Sequence, residues 1–222
     1  MRAGAKFLST VAGIAAWLLA PGLAFGAADI SGTDHDFTTA GPNASFKGAG
    51  SECETCHIPH HTGSAQLLWN HTLSGNTLTF GTSATTVAGT TLPTDVGSAP
   101  GTSKFCLSCH DGSVAVGSLI HGTSWGTTKI TGDAVIAPSG SLVGNHPVEV
   151  PYPDQSSATY NSITTAADPS GYQTSPTGVK LFGTTAGQKG IGCASCHDPH
   201  DATNDPFLRV AEASLCSSCH IK

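Results

Sequence analysis

Apolar residues along this chain form a few short runs separated by long polar stretches. The longest run extends from Phe7 to Ala20. Shorter runs from Val114 to Ile120 and from Val148 to Tyr152 contain β-branched residues and predict strands. The segment from Pro206 to Cys216 predicts a short helix. Residues 122–190 are rich in Gly, Ser, Thr, Pro and Asp, which predicts loops with short strands at most.

The first apolar run is the central part of a predicted secretory signal peptide. Arg2 and Lys6 precede the run, and small residues follow it. This three-part order is typical of export signals, and cleavage is expected after Gly26 or after Ala28. The run is too short for a comfortable membrane-spanning helix, and no second run of spanning length follows. We therefore expect an exported mature protein, residues 29–222, without a membrane span.

Composition limits what the mature chain can build. Hydrophobic residues make up 38% of the 222 residues, part of that share belongs to the signal, and 27 residues are Gly. Such a chain cannot form a large core from side chains alone. The predicted fold class is mostly coil with short helices and few short strands. The formal net charge of −6 argues against nucleic-acid binding, which uses basic patches.

Four copies of one pentapeptide carry the chemistry. Each has two cysteines three positions apart and a histidine directly after the second, and all eight cysteines of the chain lie in these copies. The copies are Cys53-Cys56-His57, Cys106-Cys109-His110, Cys193-Cys196-His197 and Cys216-Cys219-His220. C-x-x-C-H is the attachment signature of c-type haem. Both thiols form thioethers to the haem, and the histidine becomes the proximal iron ligand. The sequence predicts four covalently bound haem c groups, with each motif on a turn of helix.

Three other interpretations explain the motifs less completely. A zinc site would pool thiols from two motifs and gives no reason for a histidine after every second cysteine. A dithiol redox protein needs one motif in a βαβ pattern, not four in Gly-rich surroundings. A disulfide framework suits an exported chain but leaves the fourfold histidine unexplained.

The motifs are unevenly spaced. The first pair spans residues 53–110 and encloses a low-complexity piece, 81–103, that predicts an exposed loop, whereas the second pair is compact at 193–220. About 195 residues remain after signal cleavage, or about 50 for each haem. We therefore expect a single domain, 29–222, cored by four haems, whose folding depends on haem attachment.

Each haem iron has a second axial position, opposite the motif histidine, that another residue can occupy. Haem iron accepts His, Met or Cys there, or nothing. Every cysteine is already used, and the only methionine is Met1, which leaves with the signal. Histidine or an open site therefore remains. Seven histidines lie outside the motifs: His35, His60, His61, His71, His121, His146 and His200.

Spacing narrows these candidates. His60 and His200 each follow a motif histidine by three residues, so each would have to serve a haem other than that of its own motif. His146 precedes a proline, in an extended setting that suits a loop-borne ligand. His61 and His121 are interpreted as surface and loop histidines. His71 is open between a ligand and a packed side chain.

The chain resembles a known family in these residues. CASCHDPH, FLR and LCSSCH over 193–220 are similar to the doubled C-x-x-C-H module of multihaem cytochromes. The first half resembles the same family in five segments: His35-Asp36-Phe37, CETCHIPH, Leu68-Trp69-Asn70-His71, Ser103–Val116 and Asn145–Val148. The resemblance spans roughly 35–220 and leaves out 81–100 and 155–185. The family includes tetrahaem cytochromes of the OmcE type, which polymerise into extracellular electron-conducting filaments.

The resemblance implies two histidine ligands on every haem and little regular secondary structure. It implies distal iron ligands at His35, His60, His146 and His200, with His71 or His61 in reserve. One subunit can lend a distal histidine to a haem of the next, and His60 or His35 is the candidate. The implied partners are further copies of the chain, other redox proteins or extracellular electron acceptors.

Three functional hypotheses follow. The first is electron transfer without bond chemistry, by a subunit of an extracellular filament or, alternatively, by a soluble periplasmic tetrahaem shuttle. The second is a multihaem reductase of a small oxyanion, which requires one haem with an open axial position. The third is a structural or binding module that uses haem only as a staple, against which the density of cofactor argues. The sequence favours the first hypothesis, and we expect no enzyme.

Overall fold

The structure is a computed structural model of the chain. It describes residues 29–43, 45–60, 68–77, 79, 103–146, 148, 150–152, 173–175, 178–181 and 190–221. The predicted signal peptide, His61 and nearly all of the low-complexity piece lie outside the described residues.

Regular secondary structure is short throughout the described residues. The helices are α1 (Ser103–His110), α2 (Cys193–Cys196) and α3 (Glu212–Cys219), with 3-10 turns at Gly132–Ala134 and Pro138–Gly140. The strands are β1 (Val150–Pro151), β2 (Gln173–Ser175), β3 (Val179–Leu181) and β4 (Gly190–Ile191). Strand β1 pairs antiparallel with β4, and β2 pairs antiparallel with β3. Turns and irregular segments make up most of the remainder. Within the described residues, every helix falls short of the length and apolarity needed to cross a membrane.

One of the predicted elements is wrong and two are only partly right. Val114–Ile120 forms no strand, because tight turns interrupt it and only isolated bridges at Ala115 and Leu119 remain. A Cβ atom at Gly117 would lie 1.3 Å from the Trp125 carbonyl oxygen, so the chain packs there as a turn against a neighbouring loop.

The second apolar run, Val148–Tyr152, contributes only the two-residue strand β1. The helix predicted over Pro206–Cys216 begins later, at Glu212, and continues through the last motif. The residues before it pair instead with the segment that follows the third motif, as His197 and Leu208 show.

Buried apolar side chains form three small, separate clusters. One contains Phe37, Ala49 and Val116, the second Leu107, Ala137 and Leu142, and the third Tyr152, Leu181 and Ile191. Clusters of three buried residues bury little apolar surface, and burial is the main stabilising term in folding. The described side chains therefore supply little core of their own.

Candidate functional site

All four motifs adopt one local geometry. The second to fourth motifs lie on α1, α2 and α3, and the first lies in a turn. In the first motif the His57 amide donates to the Cys53 carbonyl over 2.7 Å, and His197 and His220 make the equivalent bonds over 3.0 and 2.9 Å. This closes one helical turn, so the two thiols of a motif lie on the same side. The expectation that each motif occupies a turn of helix is confirmed.

The eight cysteines are all free thiols. Burial raises the pKa of Cys56 to about 11, that of Cys109 to about 12 and that of Cys196 to about 11. A hydrogen bond with Cys193, followed by burial, raises the pKa of Cys106. Burial thus disfavours the thiolate form of these four side chains. Among the described residues, no three His, Cys, Asp or Glu side chains converge as ligands for a metal ion.

Two motif histidines are held in a defined tautomer. His110 Nδ1 lies 2.8 Å from the Ala134 carbonyl oxygen, and His197 Nδ1 lies 2.9 Å from that of Pro206. A carbonyl oxygen only accepts, so the proton is on Nδ1 and the lone pair of Nε2 is left for another partner. This is the arrangement that a proximal iron ligand requires.

The ring of His35 faces the second motif. Its centroid lies 6.3 Å from that of His110, at an interplanar angle of 70°. Its other ring neighbours are Phe207, stacked 4.5 Å away, and Phe37, tilted and 6.2 Å away. Burial, and then the proximity of His110, lowers the pKa of His35 to about 4. The imidazole is therefore neutral at physiological pH, the form that binds metals.

Asp36 shapes the loop that carries His35. Its carboxylate accepts hydrogen bonds from the Gly32 amide over 3.0 Å and from both the amide and the hydroxyl of Thr38 over 3.0 and 2.5 Å. These donors, led by the Gly32 amide, hold the pKa of Asp36 below its ordinary value. The turn is thereby fixed on both sides of the histidine.

Two further pairs of imidazoles repeat this arrangement. His200 lies beside His57, with centroids 6.0 Å apart and rings 25° from parallel. His146 lies beside His220, with centroids 6.4 Å apart and an interplanar angle of 73°. Although His200 follows the third motif by three residues, its ring faces the histidine of the first motif.

The histidine of the third motif differs from the other three. Within the described part of the chain, no second imidazole ring packs against His197. His60 is exposed and lies beside none of the other described histidines. His121 is half-buried, and its backbone amide donates to Asn70.

His71 is a packed side chain. It is 1% exposed, its Nε2 donates to the Ala115 carbonyl over 2.9 Å, and its Nδ1 is hydrogen-bonded with the Ser108 hydroxyl over 3.1 Å. Both ring nitrogens have partners, and Nε2 also lies 3.4 Å from the Cys109 sulfur. The reserve assignment of His71 as a distal ligand stays a prediction. The contacts that occupy it come from 37 and 44 residues away, and no local sequence signal reports them.

Asn70 is a structural residue that the sequence interpretation passed over. It is 2% exposed, its side-chain amide donates to the Glu54 carbonyl over 2.7 Å, and its side-chain oxygen accepts from the His121 amide over 3.0 Å. It thus joins the first motif to a loop 51 residues further along the chain. A buried polar residue in an otherwise apolar Leu-Trp-Asn stretch is the only hint the sequence offers.

The site has the features of a multihaem c-type cytochrome, and one comparison supports that class. A family model described as the doubled CXXCH motif matches residues 185–222, which include the third and fourth motifs. No curated protein matches the chain. The motifs indicate covalently bound haem c, and the match favours electron transfer over catalysis.

The residues present fit haem c. The thiols are free and lie on one side of each motif turn, and two motif histidines keep Nε2 available. Buried polar atoms without a hydrogen-bond partner lie at the first motif: Thr55 Oγ1 within it and Trp69 Nε1, whose ring stands edge-on to His57 at 6.1 Å. Buried polar atoms are normally paired, and Trp125 Nε1, outside the motifs, is likewise without a hydrogen-bond partner. The fit to haem c therefore rests on the thiols and the motif histidines.

Proposed function

We propose that this protein carries electrons through four haem c groups, each held between the histidine of its motif and a second histidine. The observation that carries the proposal is the set of three imidazole pairs, in which His35 faces His110, His200 faces His57 and His146 faces His220. In each pair one ring belongs to a motif and the other comes from a distant segment.

The spacing of these pairs suits two ligands of one iron. A metal–imidazole bond is about 2 Å long, and the ring centre lies roughly 1 Å beyond the nitrogen, so opposite ligands have centroids about 6 Å apart. The three pairs lie at 6.3, 6.0 and 6.4 Å. Direct ring stacking would bring the centroids closer, as with His35 on Phe207 at 4.5 Å. Aromatic pairs without a metal, such as His35 and Phe37 at 6.2 Å, also lie at this distance. The support for an iron between the rings is therefore the match in distance together with the presence of one motif histidine in every pair.

The chain's own residues perform three tasks in this proposal. The motif cysteines fix each haem covalently, the histidine pairs close both axial positions, and buried contacts hold the histidines in place. The haem iron, when bound, accepts and releases one electron while both ligands remain attached. Because both histidines remain bound in the two oxidation states, the geometry around the iron would change little on electron transfer.

Neighbouring motifs pack directly on one another. The Cys193 amide donates to the Ser103 hydroxyl over 2.9 Å, which joins α2 to α1. Trp69, beside the first motif, packs on Phe105 of α1 with centroids 4.9 Å apart. The first, second and third motifs are therefore in contact in sequence order, which supports a continuous path between haems.

We further propose that the protein is a subunit of an extracellular filament, exported by its signal peptide and forming one haem-cored domain over 29–222. The support is the asymmetry between His197, without an imidazole neighbour in the described residues, and exposed His60. A His60 donated by the next subunit would complete the haem of the third motif.

The ligand assignment is tested on the secreted holoprotein. Intact mass should show four haems per chain, and electron paramagnetic resonance should show only low-spin ferric haem. Near-parallel rings at His57–His200 should give a rhombic signal, and the steeply inclined pairs should give strongly anisotropic signals. A high-spin signal from an exposed haem would favour the reductase.

The filament is tested by electron microscopy of His60→Ala, with His61→Ala as the matched neighbour. We expect filaments from the wild type and His61→Ala, and particles with one incompletely ligated haem from His60→Ala. Assembly of His60→Ala with four low-spin haems would overturn the inter-subunit role. A wild-type monomer with four such haems would instead identify the periplasmic shuttle.

A further inference from the structure

We infer that Asp198, held in place by Arg209, is a positioning residue that orients His200 and lowers the reduction potential of the haem of the first motif. The inference rests on the proposed function, because it requires His200 to be an iron ligand opposite His57. It concerns a carboxylate that lies in a different motif segment from the haem it influences.

The segment around Asp198 is a closed loop. The Asp198 amide donates to the Phe207 carbonyl over 2.8 Å, and the Arg209 amide donates to the Cys196 carbonyl over 2.9 Å. These bonds join the two ends of the loop, and His200 lies near its start. The backbone of the loop is therefore anchored to the third motif.

Arg209 fixes the carboxylate from the other side. Its Nε donates to the Ala194 carbonyl over 2.8 Å, and its Nη1 donates to Asp198 Oδ2 over 2.7 Å. The Arg209 side chain is 11% exposed and that of Asp198 26%. A guanidinium held at two points sets a direction as well as a charge, which a lysine cannot reproduce.

The second carboxylate oxygen is directed to His200. Asp198 Oδ1 accepts from the His200 amide over 3.2 Å and lies 3.7 Å from His200 Nδ1. A carboxylate at ion-pair distance from the outer nitrogen of a ligating imidazole stabilises positive charge on the ring and so raises its basicity. A more basic axial ligand stabilises the ferric state and so lowers the reduction potential.

The partners of Nδ1 in His110 and His197 are uncharged. His110 and His197 direct Nδ1 to backbone carbonyls, so among these three histidines only His200 faces a carboxylate. The His57–His200 haem should accordingly have a lower potential than a haem with carbonyl partners alone.

The test is Asp198→Asn, which keeps the shape of the side chain and an oxygen for the His200 amide but removes the charge. The matched control is Asp201→Asn in the same loop, because the Asp201 carboxylate accepts hydrogen bonds from the Thr203 amide, over 2.9 Å, and from the Thr203 side chain rather than from His200. Spectroelectrochemical titration should show one reduction step shifted upward in Asp198→Asn, with all four haems retained, and no shift in Asp201→Asn. The rhombic signal assigned to the near-parallel pair should change in the same variant.

A His200→Met background separates an effect through the imidazole from an effect of charge alone. Methionine has no N–H, so Asp198→Asn should add no further shift there. An equal shift in both backgrounds, or no shift in Asp198→Asn, overturns the inference. If Asp198→Asn fails to mature, Arg209→Lys preserves the net charge and should still alter the rhombic signal, and an unaltered signal overturns the inference.

The same variants distinguish an error in the pairing of His200 with His57 from an error in the role of Asp198. If His200→Met leaves all haems with two histidines, the pairing of His200 with His57 is wrong, and the role of Asp198 falls with it. If His200→Met changes one haem while Asp198→Asn changes none, the pairing stands and only the carboxylate effect is excluded.

Discussion

The first two motifs and the last two carry the same chemistry but are held in place differently. Around the first pair, hydrogen bonds join residues 16 to 51 positions apart, as from Glu54 to Asn70 and from Asn70 to His121. Around the last pair, the bonds of Arg209 and His197 reach only 9 to 15 positions. The bonds within the last pair are mostly local, although the Cys193 amide also donates to the Ser103 hydroxyl 90 residues earlier. The first pair is assembled from distant segments.

The family model of the doubled CXXCH motif matches the half in which the two motifs are closely spaced. A module whose contacts close within a short stretch repeats as a contiguous pattern, and the match covers 185–222. The first pair tolerates a long insert, because each doubling of loop length costs only about 0.6 kcal/mol in closure entropy. Similar motifs can therefore be separated widely in one half and closely in the other.

The largest expected effect comes from removing the attachment cysteines of one half at a time. Replacing all four cysteines of the first two motifs with Ala should remove two haems and abolish amide protection over 29–146, because the apolar clusters there are small. Residues 190–221 should keep their two covalently attached haems and the hydrogen bonds that close within this segment, whereas the haem of the fourth motif should lose His146 as its second ligand. Hydrogen exchange followed by mass spectrometry measures both, and persistent protection over 29–146 would contradict a haem-dependent core.

The next effect concerns Asn70, which joins distant segments. Asn70→Ala leaves the Glu54 carbonyl and the His121 amide without a partner in a buried site, which should lower the free energy of unfolding by about 2 kcal/mol. Asn204→Ala in the local half loses one bond, to the Leu208 carbonyl, and should cost about 0.5–1 kcal/mol. Denaturant unfolding compares the two, and equal costs would argue against the contrast between the halves.

The free energy of unfolding of the first half is expected to depend on pH through His71. Burial lowers the pKa of His71 below its ordinary value of 6.5. The unfolded chain then binds more protons than the folded one, so the contribution of His71 is complete above pH 6.5 and is lost as the pH falls through the lower folded value. The unfolding free energy of His71→Gln should depend less steeply on pH below 6.5 than that of the wild type. Parallel pH profiles would exclude this role for His71.

The smallest effect on the free energy of unfolding is expected at the hydrogen bond between Tyr152 and Cys219. The Tyr152 hydroxyl donates to the Cys219 carbonyl over 3.4 Å, a long bond across 67 residues. Tyr152→Phe should lower the free energy of unfolding by about 0.5 kcal/mol or less. A cost comparable to that of Asn70→Ala would show that the last pair also depends on long-range contacts.

The sequence predicts the parts of the fold that depend on neighbouring residues and misses those that depend on pairing between distant segments. The turn of helix at each motif depends on five consecutive residues, and it was predicted correctly. The helix expected from Pro206 begins at Glu212, because the Asp198 and Arg209 amides pair the preceding residues with the third motif. The strand expected at Val114 is replaced by turns against the loop of Trp125. Such pairings join segments that no local pattern connects.

The candidate site divides in the same way. The cysteines and the proximal histidines follow from contiguous motifs, because covalent attachment and proximal ligation require neighbouring residues. The neighbours of the other histidines depend on how loops approach one another: His71 is enclosed by Ser108 and Ala115, and His200 is brought to His57. Ligand type and attachment are local chemistry, whereas the choice of partner depends on distances between segments that only folding brings together.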